Sequence, residues 1–235
     1  MLKAVIFDMD GVLVDSHPSH MTAWRKFLLL HGRQMTESDI ELVRSGRKKE
    51  EILRCFLGEL ASDQLRACTQ EKEALFQEEM GNTIAIAGVQ EVLCELGRAG
   101  VPMAVASCGG RQRVHRSLDL LQFTHYFRTI VTGDDVTRGK PDPEIYRKAA
   151  AQLRVRPADS LVFEDSVSGV LAAKAAGMTP VGIADSCRAQ ALLQAGASDA
   201  LPDFIGVSLE QVQQLFFSTS NTQHHGLPSY SAVVR

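Results

Sequence analysis

The sequence predicts an α/β protein in which a parallel sheet carries an all-helical insert after its first strand. Three observations predict it. Short apolar runs alternate with helical patterns along most of the chain, a stretch near residues 17–83 breaks that alternation with helices alone, and the apolar runs stop abruptly on polar residues. A length of 235 residues suits one core with a smaller insert better than two full domains.

Residues 3–7 (KAVIF) form a β-branched and aromatic run stopped by Asp8, the pattern of a strand buried on both faces. Further strands are expected in PMAVAS, ending at Ser107, in RTIVTG near residue 130, in SLVFED, ending at Glu164 and Asp165, and in TPVGIA near residue 181. Helical periodicity covers residues 89–99, 111–121, 142–153 and 168–176 between them. Inside the insert, helices are expected at residues 21–31, 48–60 and 63–80. Residues 15–18 and 81–88, rich in Gly, Pro, Ser and Asn, read as its linkers. Residues 1–16 and 84–217 are assigned to the core, 17–83 to the insert, and 218–235, with His224 and His225, to a polar tail without periodicity.

Hydrophobic content of 45% with 23% charged residues allows a real core, so neither a disordered nor a fibrous chain is indicated. A net charge of −3 without a basic tract argues against nucleic acid as a partner. Cys55, Cys68, Cys94, Cys108 and Cys187 are odd in number and scattered without CxxC spacing, which indicates neither a disulfide framework nor a zinc site. The first apolar run is too short for a signal peptide or a membrane span. The expectation is a cytoplasmic protein, monomeric or weakly homo-oligomeric, with no membrane partner.

Ligands of open α/β sheets bind at the carboxyl ends of the strands, and these ends are rich in charge here. They carry Asp8 and Asp10, then Ser107, then Glu164 and Asp165, while Lys140 follows the third strand in GKPDP. Carboxylates converging on one point repel one another unless a cation sits among them. All-oxygen ligation favours a hard ion, and Mg²⁺ suits a site completed by water and a substrate phosphate. Lys140 and Ser107 can then support a transferring phosphoryl group, Asp8 can attack phosphorus, and Asp10 can carry protons to and from the exchanging oxygens.

DMDGVLVDS at residues 8–16, Ser107 after VAS, Lys140 in GKPDP, and EDSVSG at residues 164–169 resemble, in order and spacing, the four motifs of the haloacid dehalogenase superfamily. The resemblance runs to about residue 185. It implies a Rossmann-like core, an aspartyl-phosphate mechanism, and Mg²⁺ ligated by Asp8, the backbone carbonyl of Asp10 and Asp165, with Glu164 acting through or beside the metal. It also implies phosphate held by Ser107 and Lys140, and a helical cap that closes over the site and selects the substrate. Within the superfamily the chain is similar to the β-phosphoglucomutase-like branch, which includes small sugar-phosphate phosphatases. His20 matches a cap-side histidine that helps time proton transfer, and Gly46, Lys49 and Lys72 fall where that branch holds its substrate loop and basic residues. Arg47 joins His20 and Lys49 as a candidate substrate contact. Two departures stand out: a lysine at position 49, where the mutase grips a second phosphate with an arginine fork, and Cys108, Gly109 and Gly110 after Ser107.

The resemblance implies a Mg²⁺-dependent phosphatase acting on a small phosphorylated metabolite, a sugar phosphate above all. A β-phosphoglucomutase-type phosphomutase is the alternative. Cleavage of a carbon–phosphorus bond through a Schiff base on Lys49 is a third reading, which Asp10 argues against, and a non-catalytic metabolite-binding protein is a fourth. Plainer readings stand beside the site residues. Arg47, Lys48 and Lys49 next to Glu50 and Glu51 also suit a solvated helix start, and Lys72 among Glu71, Glu73 and Glu78 reads as a surface salt-bridge face. His20 also suits a packing role, and Cys108 reads as a small packing residue with no base to activate it.

Overall fold

A computed structural model describes residues 1–79 and 83–218. Its strands are β1 (Ala4–Phe7), β2 (Met103–Ala106), β3 (Thr129–Val131), β4 (Ser160–Glu164), β5 (Thr179–Ile183) and β6 (Ala200–Leu201). They form one sheet in the order β3-β2-β1-β4-β5-β6, with every neighbouring pair parallel. This is the order of a Rossmann-type doubly wound sheet. The five expected strands are present, the first starting at Ala4 and not at Lys3; β6 has two residues, too few to leave a periodic signal.

The helices are α1 (His17–Leu30), α2 (Glu37–Val43), α3 (Lys49–Leu57), α4 (Ser62–Glu79), α5 (Val89–Arg98), α6 (Arg111–Leu120), α7 (Glu144–Leu153), α8 (Val167–Ala175), α9 (Ser186–Ala195) and α10 (Leu209–Ser218). Alternate side chains of each strand leave on opposite faces, and both faces are covered. Val5, Phe7, Val105 and Phe163 pack with Val92, Leu96, Leu118 and Val212 on one side. Ala4, Ile6, Ala104 and Val162 pack with Ile145, Ala149 and Ala172 on the other. The register sets Ile6 beside Ala104 on one flank and Val162 on the other, so small residues let α7 lie close to the sheet. The chain winds outward from β1 through β2 and β3, then crosses back to β4 on the far side of β1. That reversal opens a crevice beyond the carboxyl ends of β1 and β4.

Helices α1 to α4 lie between β1 and α5 and share an apolar centre of Trp24, Phe27, Leu28, Ile52, Leu53 and Phe56. The helix α1 begins at His17, with Pro18 in its first turn where a missing N–H breaks no helical bond, so residues 15–18 do not form a separate linker. The expectation missed α2, whose seven residues, ESDIELV, are too few and too polar to show a stripe. A capping box starts it: Asp39 accepts the Thr36 N–H at 2.8 Å, and Thr36 Oγ1 accepts the Asp39 N–H. The helical unit rests on the sheet domain through Lys48 Nζ, which donates to the Val136 carbonyl at 2.6 Å, and through Ser168 Oγ, which donates to the Ser45 carbonyl. Residues 80–82 of the expected helix and linker, and residues 219–235 of the expected tail with His224 and His225, lie outside the described residues. All five cysteines are free, and no described helix is long and apolar enough to cross a membrane.

Burial alone would raise the pKa of Asp39, but the Thr36 bonds and the Arg33 guanidinium at 2.8 Å hold it below the usual carboxylate range. A carboxyl depressed in the folded state stabilises above its unfolded pKa and loses that contribution as pH falls through its folded value. Asp39→Asn is therefore expected to lower the thermal midpoint at neutral pH, with the deficit shrinking below about pH 4. Melting curves of both proteins across that range check it.

Candidate active site

Strand β1 ends at Phe7, so Asp8 is the first residue beyond the sheet, at the mouth of the crevice; it is 7% exposed. Strand β4 ends beside it on Glu164, which is fully enclosed. Lys140, itself 1% exposed, donates to Asp8 Oδ1 at 2.5 Å and also to Glu164 Oε1. Tyr146 donates to the same Glu164 oxygen at 2.9 Å, while Ser166 donates to Oε2 from its backbone N–H (2.8 Å) and its hydroxyl (2.9 Å). Both oxygens of Glu164 are thus engaged, and its carboxylate serves Lys140. Gly169 makes this possible, because a Cβ at that position would overlap the Glu164 carboxylate.

Burial pushes the Asp8 carboxyl well up; Lys140 opposes this, and the charges of Glu164, Asp165 and Asp10 add to the rise. Lys140 is held protonated despite its burial by Asp8 and Glu164. One lysine faces more carboxylate charge than it balances, so Asp8 sits where further positive charge would stabilise its ionised form.

Asp10 and Asp165 line the same cleft as Asp8, which leaves a cavity of about 100 Å³. Arg113 Nη1 and Nη2 reach the two oxygens of Asp10 at 2.8 Å each, Ser16 Oγ donates to Oδ1 at 2.6 Å, and His20 Nε2 lies 3.5 Å from Oδ1. Burial would raise Asp10, but Arg113 and His20 hold it well below the usual carboxylate range. Asp165 lies 2.8 Å from His17 Nε2, and Arg188 donates to the Asp165 carbonyl at 2.9 Å. Ser107, the expected end of the second strand, lies one residue beyond β2 and is 1% exposed; its Oγ accepts the Gly109 N–H at 3.1 Å, and Cys108 and Gly109 line the cleft in its place. Burial pushes the Cys108 thiol up, which suits a packing residue.

The helical unit supplies the opposite wall. His20, Arg47 and Lys49 all line the cleft, joined by Arg44 and Lys72. Lys49 is paired with Glu73. The expectation of a surface salt-bridge face at Lys72 is wrong: the residue is 1% exposed, with Nζ 2.9 Å from His20 Nδ1 and above the rings of Phe76 (4.8 Å) and Trp24 (5.2 Å). Its acidic sequence neighbours lie on other faces of α4, and burial with the charges of Lys49 and Arg113 depresses its pKa well below the ordinary value. Burial, together with Lys72, lowers the His20 pKa to about 3. The imidazole is therefore neutral near pH 7, and accepting from Lys72 at Nδ1 places its hydrogen on Nε2, toward Asp10. Sequence reasoning missed Arg113, His17, Tyr146 and Arg188. The position of Arg113 in the first turn of a helix that leaves the carboxyl edge of β2 was the available signal.

Metal holding can be tested on the donor set. Among the described residues no three His, Cys, Asp or Glu side chains are gathered closely enough to hold an ion by side chains alone. The cleft offers the Asp8 and Asp165 carboxylates, an all-oxygen side-chain set in which Asp8 lacks balancing positive charge. That set fits a hard divalent ion which keeps several waters.

A doubly wound sheet with buried acids and a lysine at its switch point, roofed by helices, defines an α/β enzyme that handles an anionic substrate. The chain belongs to the haloacid dehalogenase-like hydrolase family, whose sequence profile it matches over residues 5–183, and it is an enzyme of the phosphoric monoester hydrolase type. It is 36% identical over 203 residues to the phosphorylated carbohydrates phosphatase of Thermotoga maritima, covering 83% of this chain and 92% of that one. It is 32% identical over 196 residues, with the same coverage, to validoxylamine A 7'-phosphate phosphatase of Streptomyces hygroscopicus subsp. limoneus. The fold is similar to the crystal structure of β-phosphoglucomutase from Clostridium difficile, with a TM-score of 0.84 at 22% identity over 94% of this chain and 99% of that one.

Gly169→Ala forces a methyl group into the Glu164 carboxylate and so displaces Lys140. The expected cost is about 1–3 kcal/mol of stability. Turnover should fall by more than the lost folded fraction, which thermal melts and active-site kinetics on the same sample will separate.

Proposed function

We propose that the chain hydrolyses small phosphorylated carbohydrates, with Asp8 taking the phosphoryl group and water releasing it as inorganic phosphate. The observation that carries this reading is the buried Lys140 bridging Asp8 and Glu164 beneath a cleft that also holds Asp10 and Asp165. The substrate class draws on two relatives named for phosphorylated carbohydrates and for validoxylamine A 7'-phosphate. It suits a roof of Arg44, Arg47, Lys49, Lys72 and His20, which offers donors to hydroxyl and anionic groups.

In the first step an Asp8 carboxylate oxygen attacks phosphorus, the phosphorus–oxygen bond to the substrate breaks, and the alcohol leaves with a proton that Asp10, ionised at rest beside Arg113, takes up from solvent before the transfer. In the second, Asp10 in its ionised form, which Arg113 favours, takes a proton from the water that attacks phospho-Asp8. Lys140 keeps the Asp8 oxygen in place, and the phosphoryl group would sit against Cys108 and Gly109, which line the cleft in place of the expected Ser107. A bound Mg²⁺, held by Asp8, Asp165 and the backbone carbonyl of Asp10, would supply charge neutralisation on the phosphoryl oxygens. Glu164 acts through Lys140, since its own oxygens are occupied. The helical unit at residues 17–83 is the proposed cap. A mutase needs a firm grip on a second phosphate, and the pairing of Lys49 with Glu73 leaves that residue less free to provide one. The same pairing engages the Lys49 nitrogen, which disfavours a Schiff base.

A phosphate-release screen over sugar phosphates with Mg²⁺ should find turnover that chelation removes and Mg²⁺ restores. Asp8→Asn should stay folded and release no phosphate, and Asp10→Asn should slow turnover by about 10²–10⁴-fold. Isomerised sugar phosphate without inorganic phosphate would point to the mutase, and wild-type turnover in Asp8→Asn would overturn the reading.

A further inference from the structure

Arg113 is the third residue of α6, and its side chain is 5% exposed. The guanidinium meets Asp10 edge to edge, with two parallel bonds of 2.8 Å. Its face is covered from the other side by Phe76 of α4, with Cζ 5.3 Å from the ring centroid. The planar group thus lies between a carboxylate of the sheet domain and a ring of the helical unit. Gly109 leaves room for it, because a Cβ there would fall on the guanidinium.

We propose that Arg113 is the positioning residue that seats Asp10 for proton transfer, and that Phe76 makes this seating depend on the helical unit lying over the cleft. The inference rests on the phosphatase reading above. Asp10 follows the end of β1 in a loop, where among the described residues only Ser16 and the longer His20 contact would otherwise steer its carboxylate. One hydrogen bond to one oxygen fixes a direction; a two-bonded fork fixes the carboxylate plane as well. A guanidinium keeps such a fork best when water is removed from its face, and Phe76 removes it. Phe76 also stacks on His20 at 4.1 Å and 23°, so one cap ring organises two of the three side chains that touch Asp10, Ser16 being the third. Withdrawal of α4 would expose the Arg113 face and loosen the fork, and an oriented Asp10 would then be found only under a seated cap.

The test is a double-mutant cycle. Arg113→Gln is expected to lower kcat about a hundredfold, the scale of an acid/base group lost, while KM changes by less than about threefold. Arg113→Lys keeps the charge that protects the fold but not the fork, and should recover only part of kcat. In an Asp10→Asn background, Arg113→Gln should change kcat by less than about threefold, because the group it positions is gone. An equal loss in both backgrounds overturns the proposal. Asp8→Asn measured alongside scores the phosphatase reading separately: turnover surviving there overturns that reaction, while the cycle still reports whether Arg113 acts through Asp10. Without any substrate, nitrogen NMR should show hindered rotation of the Arg113 guanidinium, relaxed in Phe76→Leu. Unchanged rotation in that variant overturns the part assigned to the cap.

Discussion

A lysine with 1% of its surface exposed joins Asp8 to Glu164, and the rest of the site depends on that bridge. Taking a lone ammonium or carboxylate out of water is costly, and the cost is recovered only where partners are close and every lone pair is engaged. Glu164 meets this condition through Tyr146 and Ser166, and the hydroxyl of Ser166 in turn accepts the Gly169 N–H at the start of α8. A strand end, a helix start and the loop carrying Lys140 are thereby fixed around one oxygen of Asp8. The arrangement leaves Asp8 ordered, buried and short of positive charge, so that a further cation beside it would stabilise its ionised form.

The sheet domain and the helical unit divide the work. Carboxylates at the ends of β1 and β4 take most of their donors from the sheet domain itself, from Lys140, Tyr146, Ser166 and Arg113, while the helices above add His17 and His20, and the two sets meet at Asp10. Phe76 stands at this junction with His20, Lys72 and Arg113 around its ring, so packing in α4 and the placement of the Asp10 carboxylate are not independent. Arg44, Arg47 and Lys49 line the cleft apart from the bridge, so they can vary without disturbing it.

Much of the sheet domain was legible because buried parallel strands announce themselves as apolar runs, and their sudden ends name Asp8, Ser107, Glu164 and Asp165. Lys140 was legible from the loop that follows the third run. Contacts that depend on how helices lie across the sheet were not. Lys72 looked like a surface residue because its neighbours in sequence are acidic, while α4 turns it alone toward Trp24 and Phe76. Arg113 carried no motif, and only the geometry of α6 brings it to Asp10, a hundred and three positions away in the chain. The helix α2 was hidden by its brevity, being specified by the Thr36 and Asp39 capping pair instead of by an apolar stripe. Glu164 was expected beside a metal, and the number of donors it accepts, which no sequence reveals, directs it to Lys140.

The central claim is that Asp8 itself accepts the phosphoryl group. Rapid acid quench of the enzyme during turnover of its best sugar phosphate, followed by proteolysis and mass spectrometry, tests it most directly. The account predicts a transient phosphoryl group on the peptide carrying Asp8, absent in Asp8→Asn and longer-lived in Asp10→Asn. A phosphoryl group on another residue, or phosphate release with Asp8 unlabelled throughout, would contradict it.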